Sequence, residues 1–148
     1  MKIKNVVPVI AVKDLASTRQ FYQAILDFDV VYQTDWYLHL RSGGDEQVEI
    51  GFVASHHPMQ PKVFHSIFDG RGVFYSLDVD DVDATYKKMK ELGVEIRLDL
   101  RDEPWGERHF AIADPNGIIL NIEHTDPSKR GKVDMREHMM RNERGVRA

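Results

Sequence analysis

The chain has 148 residues, 42% of them hydrophobic, no cysteine and a formal charge of -4. That length suits one domain or two very small ones, and the missing thiol excludes disulfides, thiolate nucleophiles and sulfur-ligated zinc, leaving His, Asp or Glu as the only metal ligands. No run approaches the ~18 apolar residues that cross a bilayer, and "MKIKNVVPVIAV" at the start lacks a signal-peptide pattern, so a cytoplasmic protein without a membrane partner is expected.

In chain order, an apolar first strand runs into "VKDLASTRQFYQAIL" (12 to 26), where Asp14 is placed to cap a helix whose apolar residues recur at helical spacing. Three short strands follow: "DVVYQT", "YLHLRS" and "QVEIGFV", with "SGGDE" turning the chain before the last of them. In "QVEIGFV" side-chain alternation places Val48, Ile50 and Phe52 on one face and Glu49 with Gly51 and Val53 on the other. The stretch from 54 to 72, with two prolines and no alternation, reads as a linker, and His56 and His57 within it point apart and make a poor metal site. Then the pattern starts again.

"VDDVDATYKKMKEL" (79 to 92) matches the first helix region at a constant offset of 67, with Asp14 over Asp81, Leu15 over Val82, Thr18 over Thr85 and Ile25 over Leu92. Gly93 is placed to close this second helix, and "YKKMKE" reads as its solvated face. "VEIRLDL", "RHFAIA" and "GIILNIEH" supply three more strands, the last two joined by the turn signal "DPNG" at 114 to 117. Each half therefore reads β-α-β-β-β: a first module over 1 to 53, the linker, and a second module over 73 to 124, making one structural domain of α+β class. Residues 125 to 148 carry seven Lys or Arg against four acids and form a basic tail, expected to be frayed or disordered. The body that remains is acidic, which argues against nucleic acid as a partner.

One helix covers one face of a four-stranded sheet, and the other face must meet something. Two modules side by side would curl a mostly antiparallel, eight-stranded, U-shaped sheet around a shared cleft, with the helices outside, and such a concavity is the default place for a small ligand. Nucleophile elbow, phosphate-cradling loop and dinucleotide fingerprint are all missing from the chain, so hydrolase, kinase and nicotinamide-dependent dehydrogenase readings fall.

The two motifs "VKDLASTRQFYQAIL", with its Phe21 and Tyr22 pair, and "EPWGERHFAIADPNGIILNIEH" resemble the vicinal oxygen chelate superfamily, the glyoxalase, bleomycin-resistance and extradiol-dioxygenase group. The resemblance spans about residues 5 to 124 and implies the paired βαβββ fold. It also implies, for metal-dependent members, a divalent ion held from the first and fourth strand of each module. Carried over, those positions are Val7, Glu49, Phe74 and Asn121. Two of them cannot coordinate at all, so the inherited metal site reads as lost and no cofactor is expected.

What remains is a cleft composition: Val7, Phe74, Trp36, Tyr37 and Trp105 as apolar or aromatic lining, with Glu49, Asn121, His39 and His109 as polar points. The resemblance implies a protein of the bleomycin-resistance type, a homodimer whose cleft binds a small aromatic or cationic organic molecule without metal. The alternative is a metal-dependent lyase, isomerase or dioxygenase in which one divalent ion has moved to His39, Glu49 and His109. Were there catalysis without metal, Glu49 would be its general base. The residues decide neither for nor against an enzyme.

Overall fold

The computed structural model describes residues 1 to 129, so the expected basic tail lies, from residue 130 on, outside the described residues. Ten main elements follow one another as β1 (Val9–Val12), α1 (Leu15–Ala24), β2 (Asp29–Gln33), β3 (Tyr37–Arg41), β4 (Glu49–Ala54), β5 (Phe74–Asp78), α2 (Val82–Glu91), β6 (Leu98–Asp102), β7 (Glu107–Ala113) and β8 (Ile119–Thr125). The order is β-α-β-β-β twice, and the class is α+β. The eight strands form two four-stranded sheets, ordered β1-β4-β3-β2 and β5-β8-β7-β6. In each, the first strand pairs parallel with the fourth and the remaining pairs are antiparallel.

Local chemistry explains the helix ends. The Asp14 carboxylate accepts from the backbone N–H of Ala16 at 2.9 Å, and Asp81 does the same for Ala84 at 3.0 Å, each satisfying a donor that the first turn leaves without a helical partner. Thr18 and Thr85 repeat a second detail, each hydroxyl donating to the cap carbonyl at 2.8 Å. Gly93 terminates α2 with φ at 75°, letting the N–H of Val94 reach back to the Met89 carbonyl at 3.0 Å. After α1 the left-handed residue is Asp27, with φ at 58°, one of the side chains that tolerate that region. Because Val94 is used in closing α2, β6 starts only at Leu98, later than the apolar run "VEIRLDL" suggests.

The chain forms two compact units. The first comprises Met1–Val73 together with Asp114–Ile118, and the second Phe74–Ala113 and the described residues from Ile119 to 129. In the first, α1 lies on β3 and β4. Ile10, Val12, Tyr22, Leu38, Leu40 and Phe52 are buried there, each large side chain contributing roughly 1.5 to 3 kcal/mol. In the second, α2 lies on β7 and β8, with Val82, Met89, Phe110, Ile112, Leu120 and Ile122 buried. The stretch read as a linker is hydrogen-bonded into the first unit, Phe68 N–H donating to the Ala11 carbonyl at 3.0 Å. The "DPNG" turn joins β7 to β8 as expected, yet its residues also belong to the first unit. There the Tyr22 hydroxyl donates to the buried Asp114 carboxylate at 2.9 Å, whose other oxygen accepts from the N–H groups of Asn116 and Ile118.

Candidate functional site

Strand register decides which side chains share the face of the first sheet turned away from α1. His39 pairs with Gly51, Tyr37 with Val53 and Arg41 with Glu49, so Tyr37, His39, Arg41 and Glu49 lie on one face. β2 adds one more residue by an irregularity. Val30 pairs with Leu40 and Tyr32 with His39, so Val31 is a bulge and Tyr32 takes the place opposite His39 that plain alternation would give to Val31.

These side chains form a continuous chain. The Tyr37 hydroxyl lies 2.9 Å from His39 Nδ1, His39 Nε2 lies 3.2 Å from Glu49 Oε1, and Arg41 Nη2 donates to the same Oε1 at 3.3 Å. Tyr32 stacks over the chain, its ring 5.4 Å from that of Tyr37 and 5.5 Å from that of His39, at interplanar angles of 22° and 8°. Its other side is open, for Tyr32 is 53% exposed. Gly51 makes the arrangement possible, because a Cβ there would strike the Tyr37 hydroxyl and ring. The hydrogen bond from Arg41 holds the Glu49 carboxyl below its ordinary range, assisted by His39 and opposed by partial burial. Burial, then the neighbouring Tyr32 phenol and the Glu49 charge, push the Tyr37 phenol up, so it stays neutral. Trp36 stands at the end of this row, half-buried, stacked on His57 at 5.3 Å and edge-on to Tyr37 at 6.3 Å.

The second sheet carries a different cluster on its face away from α2. His109 Nδ1 lies 2.7 Å from Asn121 Oδ1, while Asn121 Nδ2 donates to Ser76 Oγ at 2.8 Å and to Glu107 Oε2 at 3.1 Å. Trp105 Nε1 donates to Glu107 at 3.3 Å. A bulge in β6 again chooses the partner of the histidine: Leu98 pairs with Ala111 and Arg101 with His109, so Arg101 replaces Leu100 on this face. Arg101 forms an ion pair with the buried Glu103, whose Oε1 lies 3.7 Å from His109 Nε2, a buried nitrogen without a hydrogen bond among the described residues.

The sequence-derived positions are therefore distributed as follows. His39, Glu49, Tyr37 and Trp36 come together in the first unit, and His109, Asn121 and Trp105 in the second. Val7 is half-buried just ahead of β1, and Phe74 begins β5 with 64% of its surface exposed. Register also separates Glu49 from Asn121. Val9 pairs with Gly51 and Ser76 with Asn121, and Val9 and Ser76 are related by the repeat, so Asn121 matches Gly51 and the residue level with Glu49 is Ile119. The four positions inherited by resemblance offer one carboxylate oxygen already held by a guanidinium and an imidazole, one amide oxygen already held by an imidazole, and two hydrocarbons. That donor set does not fit a divalent ion, which needs three or more converging oxygen or nitrogen ligands. Tyr32, Arg41, Gly51, Ser76 and Glu107 were not among the sequence-derived residues. Only Gly51 left a signal, a glycine inside a strand pattern, which marks close approach of other atoms to the backbone.

Comparison with known proteins gives a consistent result. A family model described as Glyoxalase/Bleomycin resistance protein/Dioxygenase superfamily matches residues 2 to 122. Bleomycin resistance proteins of Geobacillus stearothermophilus and Staphylococcus aureus are 24% identical over 126 residues, covering 78% of this chain and 92% of theirs. Among solved structures, TnmS3, an antibiotic binding protein from Streptomyces sp. CB03234, is similar with TM-score 0.66 and 24% identity over 85% of this chain and 99% of its own. A glyoxalase/bleomycin resistance protein/dioxygenase from Nocardioides is similar with TM-score 0.69 and 15% identity, over 84% of this chain and 85% of its own.

Proposed function

We propose a small-molecule-binding role for this chain, which belongs to the Glyoxalase/Bleomycin resistance protein/Dioxygenase superfamily. On this reading the ligand is a planar aromatic or cationic organic compound, held without a metal ion on the exposed face of the first sheet. The observation that carries it is the Tyr32 ring, open on one side and stacked on Tyr37 and His39. A flat ligand laid on such a shelf gains about 1 kcal/mol per aromatic partner beyond area burial. The Glu49 carboxylate, kept ionised by Arg41, adds attraction for a cation. Relatives named as bleomycin resistance proteins, and a structural neighbour named as an antibiotic binding protein, support ligands of antibiotic type.

A titration with 9-aminoacridine, a planar cation, in chelator-treated buffer tests the reading. A thermal shift upward with ligand concentration is expected, since a ligand that binds only the folded state stabilises it. No shift with this compound or with any of a panel of planar aromatics would overturn it, and metal found in stoichiometric amount in untagged protein would overturn the metal-free part.

The same reading includes a homodimer. β1 and β5 are edge strands carrying the exposed Val9 and Phe74, and exposed apolar edges of this kind invite pairing with a second chain. Sedimentation at micromolar concentration should give twice the mass of 17.1 kDa. A monomer would contradict it.

A further inference from the structure

We infer that Asn116, in the "DPNG" turn, is a latent deamidation site: the hydrogen bonds that seat the turn on α1 hold it unreacted, and its conversion to aspartate unseats the turn. None of this depends on what the first sheet binds. In the reaction the backbone nitrogen of Gly117 attacks Cγ of the Asn116 side chain and loses its proton. The side-chain nitrogen leaves as ammonia, and a five-membered succinimide remains. Water then opens that ring at either carbonyl, giving aspartate or isoaspartate, with no oxidant or reductant involved. A following glycine favours the attack because it has no side chain to hinder its nitrogen. Gly117 is exposed, has φ at 83°, and has open space where a Cβ would stand.

Both nitrogens that the reaction uses are tied down in the fold. Asn116 Nδ2, the leaving nitrogen, donates to Thr18 Oγ1 at 3.0 Å and to Asp114 Oδ2 at 3.3 Å. The fully buried Thr18 hydroxyl donates to the Asp14 carbonyl at 2.8 Å, closer than its 3.5 Å approach to Asn116 Oδ1, so its lone pairs are left to receive the amide. The attacking N–H of Gly117 donates to the Asp114 carbonyl at 3.1 Å. On either side of it the N–H groups of Asn116 and Ile118 donate to Asp114 Oδ1, and the Tyr22 hydroxyl of α1 holds Oδ2. Gly117 cannot swing onto Cγ until these bonds open, so the rate in the folded chain follows local opening of the turn. The product no longer fits the seat. A carboxylate at 116 has no N–H to give to Thr18 or Asp114, and it adds a like charge beside the Asp114 carboxylate. A turn that has opened and reacted therefore cannot dock on α1 as before.

Peptide mapping by mass spectrometry tests this. Cleavage after Arg108 and Lys129 releases one peptide that holds Asn116 and, as an internal control, Asn121 with the branched Ile122 behind it. The full chain is incubated in mildly alkaline buffer, either folded or in guanidinium chloride. In the unfolded chain Asn116 should convert well before Asn121, and in the folded chain it should convert more than about tenfold more slowly. Thr18→Val, which keeps the shape and removes the acceptor, should speed conversion in the folded chain about fivefold, the equivalent of one hydrogen bond. Asn116→Asp should unfold at a lower urea concentration than the wild type. Equal rates in folded and unfolded chain, no conversion of Asn116 in either, or an unchanged urea midpoint for Asn116→Asp would each overturn the inference. So would an unchanged rate in folded Thr18→Val; if that variant does not fold, the comparison of folded with unfolded wild type and the Asn116→Asp midpoint decide.

Discussion

The two sheets begin from the same plan and end in opposite uses of it. Each puts a histidine on its third strand, on the face away from the helix, and each places a bulge in its second strand that sets the neighbour of that histidine. In the first sheet the neighbour is Tyr32, more than half exposed, and the polar chain beneath it ends in a solvent-accessible carboxylate. In the second the neighbour is Arg101, which turns to the buried Glu103, and Asn121 at 9% exposure ties His109, Glu107 and Ser76 into an inward knot. An open aromatic face over a partly hydrated ion pair suits reversible binding, because a ligand gains area there without displacing internal hydrogen bonds. A closed, amide-centred network suits stability, since each buried polar group depends on its neighbours.

Breaking the second network should therefore produce the largest loss of stability. Asn121→Ala removes three hydrogen bonds and leaves His109 Nδ1 and the Glu107 carboxylate poorly satisfied, which predicts a loss of about 2 to 4 kcal/mol in urea denaturation. A loss below about 1 kcal/mol would mean that water replaces the amide readily and that the two sheets differ less than their geometry suggests. Next in size is Gly51→Ala in the first sheet. The added methyl drives Tyr37 off the strand, at about 1 to 3 kcal/mol as for other overpacked sites, and should also abolish the thermal shift by 9-aminoacridine.

Tyr32→Ala separates binding from stability. Removing an exposed stacking ring should weaken the acridine by about fivefold, roughly 1 kcal/mol, and change the unfolding midpoint little. The smallest effects concern protons. Hydrogen bonds from Arg41 and Arg108 hold the Glu49 and Asp83 carboxyls below their ordinary values of 4.5 and 3.8. A carboxylate with a depressed folded-state pKa contributes stability above the unfolded value and loses it as pH falls through the folded one. Both pairs should thus weaken the fold only below about pH 4.5. Arg41→Gln should raise the titration of Glu49, followed by carbon NMR, and leave Asp83 unmoved. No rise at Glu49 would show that the guanidinium does little to hold its carboxylate ionised.

Much of the scaffold was legible because it depends on local rules. Asp14 and Asp81 cap helices as their positions imply, Gly93 ends α2, and the offset of 67 correctly gave two βαβββ modules. Alternation in "QVEIGFV" put Glu49 and Ile50 on opposite faces, as found. The site was less legible. Bulges cancel alternation, so Tyr32 and Arg101 read as facing the helices when they face away, and nothing in "DVVYQ" or "LDLRD" marks the extra residue. Register failed to show for a related reason: the two halves differ in loop length between helix and fourth strand, so Asn121 looked like the counterpart of Glu49 while its pairing partners match those of Gly51. Partners of polar groups were also hidden, since Arg41 and Glu107 meet Glu49 and Asn121 only after the strands are paired.

The central claim is that the first sheet's aromatic face is where a planar molecule rests. Amide and aromatic NMR spectra recorded during addition of 9-aminoacridine test it residue by residue. Ring-current shifts should be greatest at Tyr32, Tyr37 and His39. Saturable binding that leaves those three resonances in place would contradict it.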